Sequence, residues 1–455
     1  MYQIVNENVL EFSADIKYHA VISDPPYGLA FMNKGWDSFK KPIDYQKWVT
    51  GWSSHLMQYL YPGAVCVFFG GTRTYHRLAV GLEDSGYEIF DSMIWCYGSG
   101  FPKSYNISKG IDKSLGLERE IVGYKNIDYP DSDTWGTPNK NSNGKGLTPH
   151  TIYGDKNNII INGQIPIDKP NSDLANNWNG YGTALKPAYE PIVLCRKPLE
   201  KGGYVNSALK YGTSGLNIDG GRIGTDNRFN PYTTSENAYG GFEMCEGGGI
   251  AVSGRFPANF GLICECEKEP CECIESELNE QSGLLKSGEL SGNLNKASDG
   301  SKIYGNYGIR QSYAKANQGG ASRFFYTAKA SSKERELGLE ELELQEAQVT
   351  GWSGDGMPLR QNGTERKMPV RYNNHPTVKP IKLIEYLAKL LLPPIENSSI
   401  LIPFSGVGSE MIGSCFAGWN NITGVEIDKN YVAIANKRLD YWTKFDSYQK
   451  ALKSK

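Results

Sequence analysis

The stretch with the most specific chemistry is Asp24-Pro25-Pro26-Tyr27. An amino group conjugated with an aromatic ring is a poor nucleophile, because its lone pair is delocalised, until its N–H bonds are drawn toward acceptors. The Asp24 carboxylate and the Pro25 carbonyl can supply two acceptors, and Pro25 and Pro26 fix them without adding competing N–H donors. Tyr27 adds an aromatic face on which a flat ring can stack. A second set lies far down the chain. Gly406-Val407-Gly408 lacks side chains where backbone amides would close on a ligand, and the N-terminus of the helix expected after it favours a carboxylate or phosphate. Glu426 follows 20 residues after Gly406, where a carboxylate can accept both hydroxyls of a ribose. A dinucleotide site would carry a third glycine at position 411. Met411 stands there, so a tight turn without a ligand is the alternative reading of these residues taken alone.

Both sets sit at the ends of apolar runs that read as buried strands. Ala20-Val21-Ile22 stops at Ser23 and the prolines, which cannot continue a ladder. Ala64 to Phe69 is continuously apolar, Gly70-Gly71 breaks it, Thr72 to Asp84 can form a helix and Gly86 can cap it. A third strand follows from Ile89 to Tyr97, and Tyr189 to Cys195 looks like another. Near the other end, Ser399 to Ile402 leads into the glycine turn, a helix from Ser409 to Ala417 stops at Gly418, and a strand from Ile422 to Ile427 precedes Asp428. The helix after it places Tyr431, Ile434, Ala435 and Leu439 on one face. Strands without polar alternation, separated by helix-length segments, predict an α/β fold whose parallel sheet is covered on both faces.

The matching segments resemble the amino-group DNA methyltransferases that use S-adenosylmethionine, in the permuted class whose catalytic tetrapeptide precedes the cofactor turn. They are Asp24 to Tyr27, Phe404-Ser405-Gly406-Val407-Gly408, Gly424 to Asp428, and His375-Pro376-Thr377-Val378-Lys379-Pro380. Phe69 to Thr74 and Lys186 to Pro191 also look like the DNA methylases of phages and mobile elements. The resemblance is strong over roughly residues 1–105 and 370–440 and weaker between them. It implies a Rossmann-like methyltransferase sheet built from both chain ends, with a large inserted target-recognition region. Residues 1–97 and 372–445 would form the catalytic and cofactor-binding parts. Residues 98–330 would read the target, with a sheet strand near 189–196, and 331–371 would be a helix, Glu334 to Glu346, and a linker.

Carried over residue by residue, the resemblance implies that Asp24, Pro25, Pro26 and Tyr27 hold a flipped base. Pro403, Phe404, Ser405, Gly406 and Gly408 would wrap the methionine part of the cofactor, with Asp24 beside it. Glu426 would take its ribose, Ile427 and Asn8 its adenine end, and Thr377 and Lys379 its carboxylate. Three positions depart from the family pattern: Ile402 stands where Asp is usual, Ser409-Glu410 replaces a pair of small hydroxyl residues, and Glu7-Asn8 replaces Gly-Asp. Asp first in the tetrapeptide points to N6 of adenine in double-stranded DNA. Cytosine-N4 transfer is the alternative, and a catalytically silent DNA-binding protein of the same fold is another. Protein-glutamine and RNA methyltransferases with Asn first run in the opposite motif order. His375 receives no catalytic role.

Composition sets bounds on these expectations. The 455 residues suffice for two to three domains, and the formal net charge of −2 means that any DNA-facing charge is local. The stretch from Gly98 to Ala330 offers Asn and Gln for adenine edges and Arg222, Arg228, Arg255, Arg310 and Arg323 for guanine or phosphate. Lys315, Lys329 and Lys333 extend that basic stretch. No apolar run approaches a membrane span, the first residues lack a secretory pattern, and most of the nine cysteines are scattered, so a cytosolic protein without membrane contact is expected. A second copy of the chain is the other candidate partner. Cys264, Cys266, Cys271 and Cys273 put four thiols within ten residues, a candidate structural zinc site set in an acidic loop. A solvated acidic loop without metal is the alternative reading; elemental analysis of protein purified without chelator separates the two, since one zinc per chain would support the site and finding none removes it.

Overall fold

The computed structural model describes residues 1–29, 35–97, 104–126, 164–231, 234–237, 240–243, 249–264, 274–287, 290–295, 310–314, 317–329, 332–346, 370–375 and 377–454. Two compact units are formed, one from Met1–Cys96, Glu190–Gln348 and Met368–Lys455, the other from Tyr97–Tyr189 and Val349–Lys367.

The first unit is built on a nine-stranded sheet. Its strands in chain order are β1 (Tyr2–Asn6), β2 (Tyr18–Ser23), β3 (Leu60–Phe69), β4 (Glu88–Cys96), β5 (Tyr189–Arg196), β6 (Phe260–Cys264), β7 (Tyr326–Lys329), β8 (Ser399–Pro403) and β9 (Asn421–Glu426). Across the sheet they run β1-β9-β8-β2-β3-β5-β4-β6-β7. The five strands from β1 to β3 pair in parallel, whereas β5 runs antiparallel to β3. β6 pairs in parallel with both β4 and β7. This is the expected Rossmann-like α/β sheet, assembled from both ends of the chain.

Local sequence explains the crossovers. Helix α1 (Pro42–Met57), between β2 and β3, starts on a proline at its first position, where the missing N–H costs no helical bond. Helix α2 (Tyr75–Asp84), between β3 and β4, ends where Gly86 takes a φ of 97°. It begins three residues later than Thr72. Helix α3 (Ile381–Leu391) precedes β8, and α4 (Ser409–Ala417) links β8 to β9 and is closed by Gly418 in the left-handed region. Helix α5 (Lys429–Trp442) follows β9, and the Asp428 side chain caps it through the amides of Asn430 and Tyr431. Tyr431, Ile434, Ala435 and Leu439 are all buried along α5. The core joins Trp52 and Leu56 of α1 to Tyr18 and Val21 of β2, Phe68 of β3 and Leu401 of β8.

The structure departs from expectation in two places. Only one sheet strand was expected between residues 98 and 330, yet β6 and β7 extend the same sheet. Their short lengths within a Gly/Asn/Ser-rich stretch hide them from any periodicity. The acidic helix expected from Glu334 to Glu346 is instead a short 3-10 turn at Ser332–Arg335 followed by turns. Gly338 breaks it with a φ of 87°, and a Cβ there would lie 2.4 Å from that of Tyr441. Of the leucines in this segment, Leu337 and Leu339 are buried, Leu339 against Val407, Tyr431 and Ile434 with Leu342 packed beside it, while Leu344 is exposed. Asp128 to Gly163, much of Ser287 to Gly320, most of the linker, and the zinc candidates Cys266, Cys271, Cys273 and the Cys264 side chain lie outside the described residues.

The second unit carries a helix at Ile107–Ser114 capped by Asn106, an antiparallel strand pair at Ile121–Asn126 and Gln164–Asp168, and a short helix at Asp173–Asn177 capped by Ser172. Asp112 ties it together, accepting from the amides of Asn171 and Ser172 and from the Ser172 hydroxyl. Arg119 adds ion pairs of 2.9 Å to Asp168 and 3.4 Å to Asp112.

Helix α4 is held against α3 by a close approach at Gly413, where a Cβ would lie 2.7 Å from that of Ile384 and 2.9 Å from the Glu385 amide nitrogen. In an exposed helix Gly→Ala stabilises by up to about 1 kcal/mol. Here Gly413→Ala is expected to destabilise by about 1–3 kcal/mol through overpacking, read as a lower urea midpoint at unchanged m-value.

Candidate active site

The connection from β2 moves across the sheet in one direction to β3, and the connection from β8 moves in the other to β9. The chain therefore reverses between β8 and β2, and the crevice outside their carboxyl ends is the place where open α/β sheets bind ligands. The tetrapeptide leaves β2 and the glycine turn leaves β8 at that point. The buried Ser23 hydroxyl donates to the Pro403 carbonyl at 2.7 Å, tying the two strand ends directly.

Pro25 and Pro26 carry the chain away from the sheet. The Tyr45 hydroxyl donates to the Pro26 carbonyl at 3.0 Å, and the buried Asp37 carboxylate receives the amides of Gly28 and Leu29. Gly28 has a φ of 67°, and a Cβ there would sit 2.8 Å from the Tyr45 ring. These contacts fix Asp24 and Tyr27. The Tyr27 hydroxyl lies 2.8 Å from Asp24 Oδ1 and 3.0 Å from Glu190 Oε2. Its ring packs beside Gly71, where a Cβ would come within 3.1 Å. Burial first, then the two carboxylates, raise the Tyr27 phenol well above its usual range, so it stays protonated.

Lys379, expected beside Thr377 at the cofactor's carboxylate, is instead engaged here and completes the cluster around Asp24. Its ammonium is 2.7 Å from Asp24 Oδ2 and 3.1 Å from both Glu190 Oε2 and the Tyr27 hydroxyl. Burial alone would lower the ammonium, but Asp24 and Glu190 outweigh it and hold it above the ordinary range. Burial pushes Glu190 up, opposed by Lys379.

On the β8 side the backbone is wound tightly. Phe404 has a φ of 57°, Gly406 of 50° and Gly408 of 80°. A phenylalanine in that region is costly, and its ring is anchored against Trp48 at 5.5 Å and Trp52 at 5.4 Å. The Ser405 amide donates to the Val425 carbonyl, while the buried Ser405 hydroxyl has no partner among the described residues. Met411, standing where a third glycine was considered, is buried over β9: a Cβ at Gly424 would lie 2.4 Å from its sulfur. The close approach is thus made by a glycine on the strand rather than on the helix.

Glu426 ends β9. Its carboxylate receives the amides of Gly406 at 2.8 Å and Asp428 at 2.9 Å, one on each oxygen, leaving further lone pairs for hydroxyl donors. Burial raises it, against those amide bonds. Ile427 beside it is 65% exposed, an apolar face open at the strand end. Asn8, after the adjacent β1, accepts the Leu10 amide at 3.0 Å. The turn, the exposed isoleucine and the buried carboxylate fit a nucleoside with a charged tail.

His375 lies against the turn, 3.2 Å from where a Gly406 Cβ would be, and edge-on to Tyr431. Its Nδ1 faces the Thr377 amide at 3.3 Å, and burial lowers it to about 4, so it is neutral near pH 7. Thr377 itself is exposed. Arg438, fully buried, donates to the Val407 carbonyl at 2.6 Å and the Ser409 hydroxyl at 3.0 Å.

Four participants were not legible as such: Glu190, Glu410, and the Phe69 and Trp95 rings, which lie 5.0 and 5.9 Å from the Lys379 ammonium. Glu190 opens a strand that was recognised, but only because β5 runs antiparallel to β3 does its first end reach the carboxyl ends of its neighbours, as the Gly70 amide bond to the Pro191 carbonyl shows. Strand direction is not written in composition. Among the arginines expected to face DNA, Arg222 is paired with Asp219 at 2.7 Å, Arg255 bonds the Arg323 carbonyl and lies over Phe324, and Arg323 bonds the Gly320 carbonyl. Lys333 donates to the Leu452 carbonyl. The Arg228, Arg310, Lys315 and Lys329 side chains fall outside the described residues.

A family model described as DNA methylase, covering the N6 and N4 amino-methyltransferases, matches residues 18–437, and the chain belongs to that family. Members of that family use S-adenosylmethionine as the methyl donor. Type II methyltransferase M.HindIII of Haemophilus influenzae is 27% identical over 111 residues, a match spanning 17% of this chain and 36% of that protein. The chain therefore spans about a third of that relative's length. Among solved structures, the complex of M1.HpyAVI with its cofactor covers 97% of this chain and 100% of its own at 12% identity and a TM-score of 0.35. The PvuII DNA methyltransferase, described as cytosine-N4-specific, covers 99% and 90% at 11% identity and a TM-score of 0.38. Among the described residues no helix is long and apolar enough to cross a membrane.

Glu410, in the first turn of α4, is buried, and burial pushes its carboxyl up to about 7, aided by Asp24 and opposed by Lys379 and Arg438. In the unfolded chain it would ionise near 4.5. Its contribution to stability is complete below that value and is lost as pH rises toward about 7. Glu410→Gln is expected to flatten the fall in unfolding free energy over this range, measured by urea titration at stepped pH. An unchanged slope would show that this carboxyl does not take part.

Proposed function

We propose that the protein transfers a methyl group from S-adenosylmethionine to N6 of an adenine flipped out of double-stranded DNA. The observation that carries the reading is the placement of Asp24 and Tyr27 beside the glycine turn, on parallel strand ends tied by the Ser23–Pro403 bond. When bound, the cofactor supplies an electrophilic methyl group on a positively charged sulfur. The chain's own residues do the rest. Asp24 and the Pro25 carbonyl accept the two N–H bonds of the amino group, so its lone pair points away from them toward the methyl donor. On transfer of the methyl group the amine would carry one proton too many, which Asp24 or water would accept. Pro26 keeps the acceptors rigid, and Tyr27 stacks on the base.

For the cofactor, Pro403, Phe404, Ser405, Gly406 and Gly408 enclose the methionine part, with the exposed Thr377 toward its carboxylate. Glu426 accepts the ribose hydroxyls, and Ile427 and Asn8 flank the adenine. Target recognition is assigned to residues 98–330, which supply the polar and aromatic side chains that the sheet core lacks. Asp at the first tetrapeptide position supports adenine over cytosine.

Labelled S-adenosylmethionine and duplex DNA with the protein should yield N6-methyladenine on nucleoside analysis. N4-methylcytosine in its place would reassign the base, and DNA binding without transfer would favour a silent protein. Asp24→Ala is expected to cut transfer by about 100-fold or more while cofactor affinity, measured by calorimetry, changes little. Full activity in that variant would overturn the site assignment.

A further inference from the structure

The reaction as drawn leaves one strong interaction without a task. Both oxygens of Asp24, the carboxylate that should receive one N–H of the amino group, are already engaged: Oδ1 by the Tyr27 hydroxyl at 2.8 Å, and Oδ2 by the Lys379 ammonium at 2.7 Å. The ammonium nitrogen also lies 5.0 Å from the centre of the Phe69 ring, 5.5 Å from that of Tyr27 and 5.9 Å from that of Trp95. A nitrogen bearing N–H donors, bonded to Asp24 and ringed by three aromatic faces, occupies the arrangement that an exocyclic amine on a stacked base would require. The two cannot hold the same Asp24 oxygen together.

We propose that in the absence of DNA the Lys379 ammonium keeps the place of the target amino group, and that Glu190 is the carboxylate to which Lys379 passes when a base takes Asp24. This rests on the methyl-transfer reading above. An ammonium this deeply buried cannot be released without a counter-charge, because a desolvated unpaired cation is strongly disfavoured. Glu190 Oε2 is already 3.1 Å from the same nitrogen and 3.0 Å from the Tyr27 hydroxyl. The transfer therefore needs only a small rotation of the lysine end, with no exit to water. Glu190 acts through Lys379 and is a positioning residue. Lys379 keeps the amine pocket closed and its carboxylate oriented until DNA arrives.

The test is a double-mutant cycle on the full-length enzyme, following labelled methyl transfer to duplex DNA, with cofactor affinity and thermal midpoint measured for each variant. Glu190→Gln leaves Lys379 with Asp24 as its one anionic partner among these groups, and is expected to lower kcat/KM for DNA by about tenfold or more. Lys379→Met, which keeps the length of the side chain without its charge, is expected to lower the KM for DNA, since the competitor is gone. The combined variant should recover most of what Glu190→Gln lost. A purely structural role for Glu190 would not be rescued by removing the lysine, so a double variant no better than Glu190→Gln overturns the handover. Should Glu190→Gln fail to fold, the comparison of wild type with Lys379→Met decides, and an unchanged or raised KM for DNA overturns the proposal. A wild-type enzyme that transfers no methyl group to DNA fails the functional reading itself and takes this inference with it. An active wild type without suppression sinks the handover alone.

Discussion

The pairing of β2 with β8 is the constraint on which the rest depends. Ala20 lies opposite Ile400 and Val21 opposite Leu401, so segments separated by 380 residues run side by side in the same direction. Parallel neighbours present their carboxyl ends at one edge, and the chain moves away from that edge to opposite sides. The tetrapeptide and the glycine turn therefore open onto a common crevice without any side chain having to reach across the sheet. The Ser23 hydroxyl adds a single cross-strand bond where the ladder stops. Tyr45, Asp37 and Trp52 then act on loops whose starting points are already set.

Charge within the crevice is arranged rather than abundant. Glu190, Glu410 and Glu426 are all raised by burial, and the cations that answer the first two are themselves buried: Lys379 between Asp24 and Glu190, and Arg438 under the glycine turn. In a low-dielectric setting such groups are stable only as a set, since removing one leaves another unpaired. That explains how a chain of net charge −2 can hold a strongly polar centre. The formal balance says little about where the charges sit.

Much of this architecture was legible because the responsible signals are local. Prolines after Ser23, glycines at 406 and 408, Gly418 after the helix and Asp428 before the next one each act within a few residues, and each lies where expected. The unread parts are those that depend on distant neighbours. Whether leucines near 337 and 339 belong to a helix is decided by how closely Gly338 approaches Tyr441. Whether position 411 needs glycine is decided across the sheet, by Gly424 beneath the Met411 sulfur. Glu190 joins the site because of the direction in which its strand enters, and the arginines offered for DNA turn partly inward because Asp219, Phe324 and the Gly320 carbonyl are near them.

The joining of the two chain ends also bears on how the protein is made. β9 is flanked by β1 on one side and β8 on the other, and β8 by β2, so the place between β1 and β2 is filled last, by residues beyond 399. During synthesis, β2 waits with one edge unpaired while several hundred residues emerge, and contacts of such long sequence separation form slowly because loop closure precedes any gain. Until that segment arrives the open edge is a template for wrong partners. The folding of this protein is thus set to be late and cooperative, and its most aggregation-prone moment falls just before this crevice first exists.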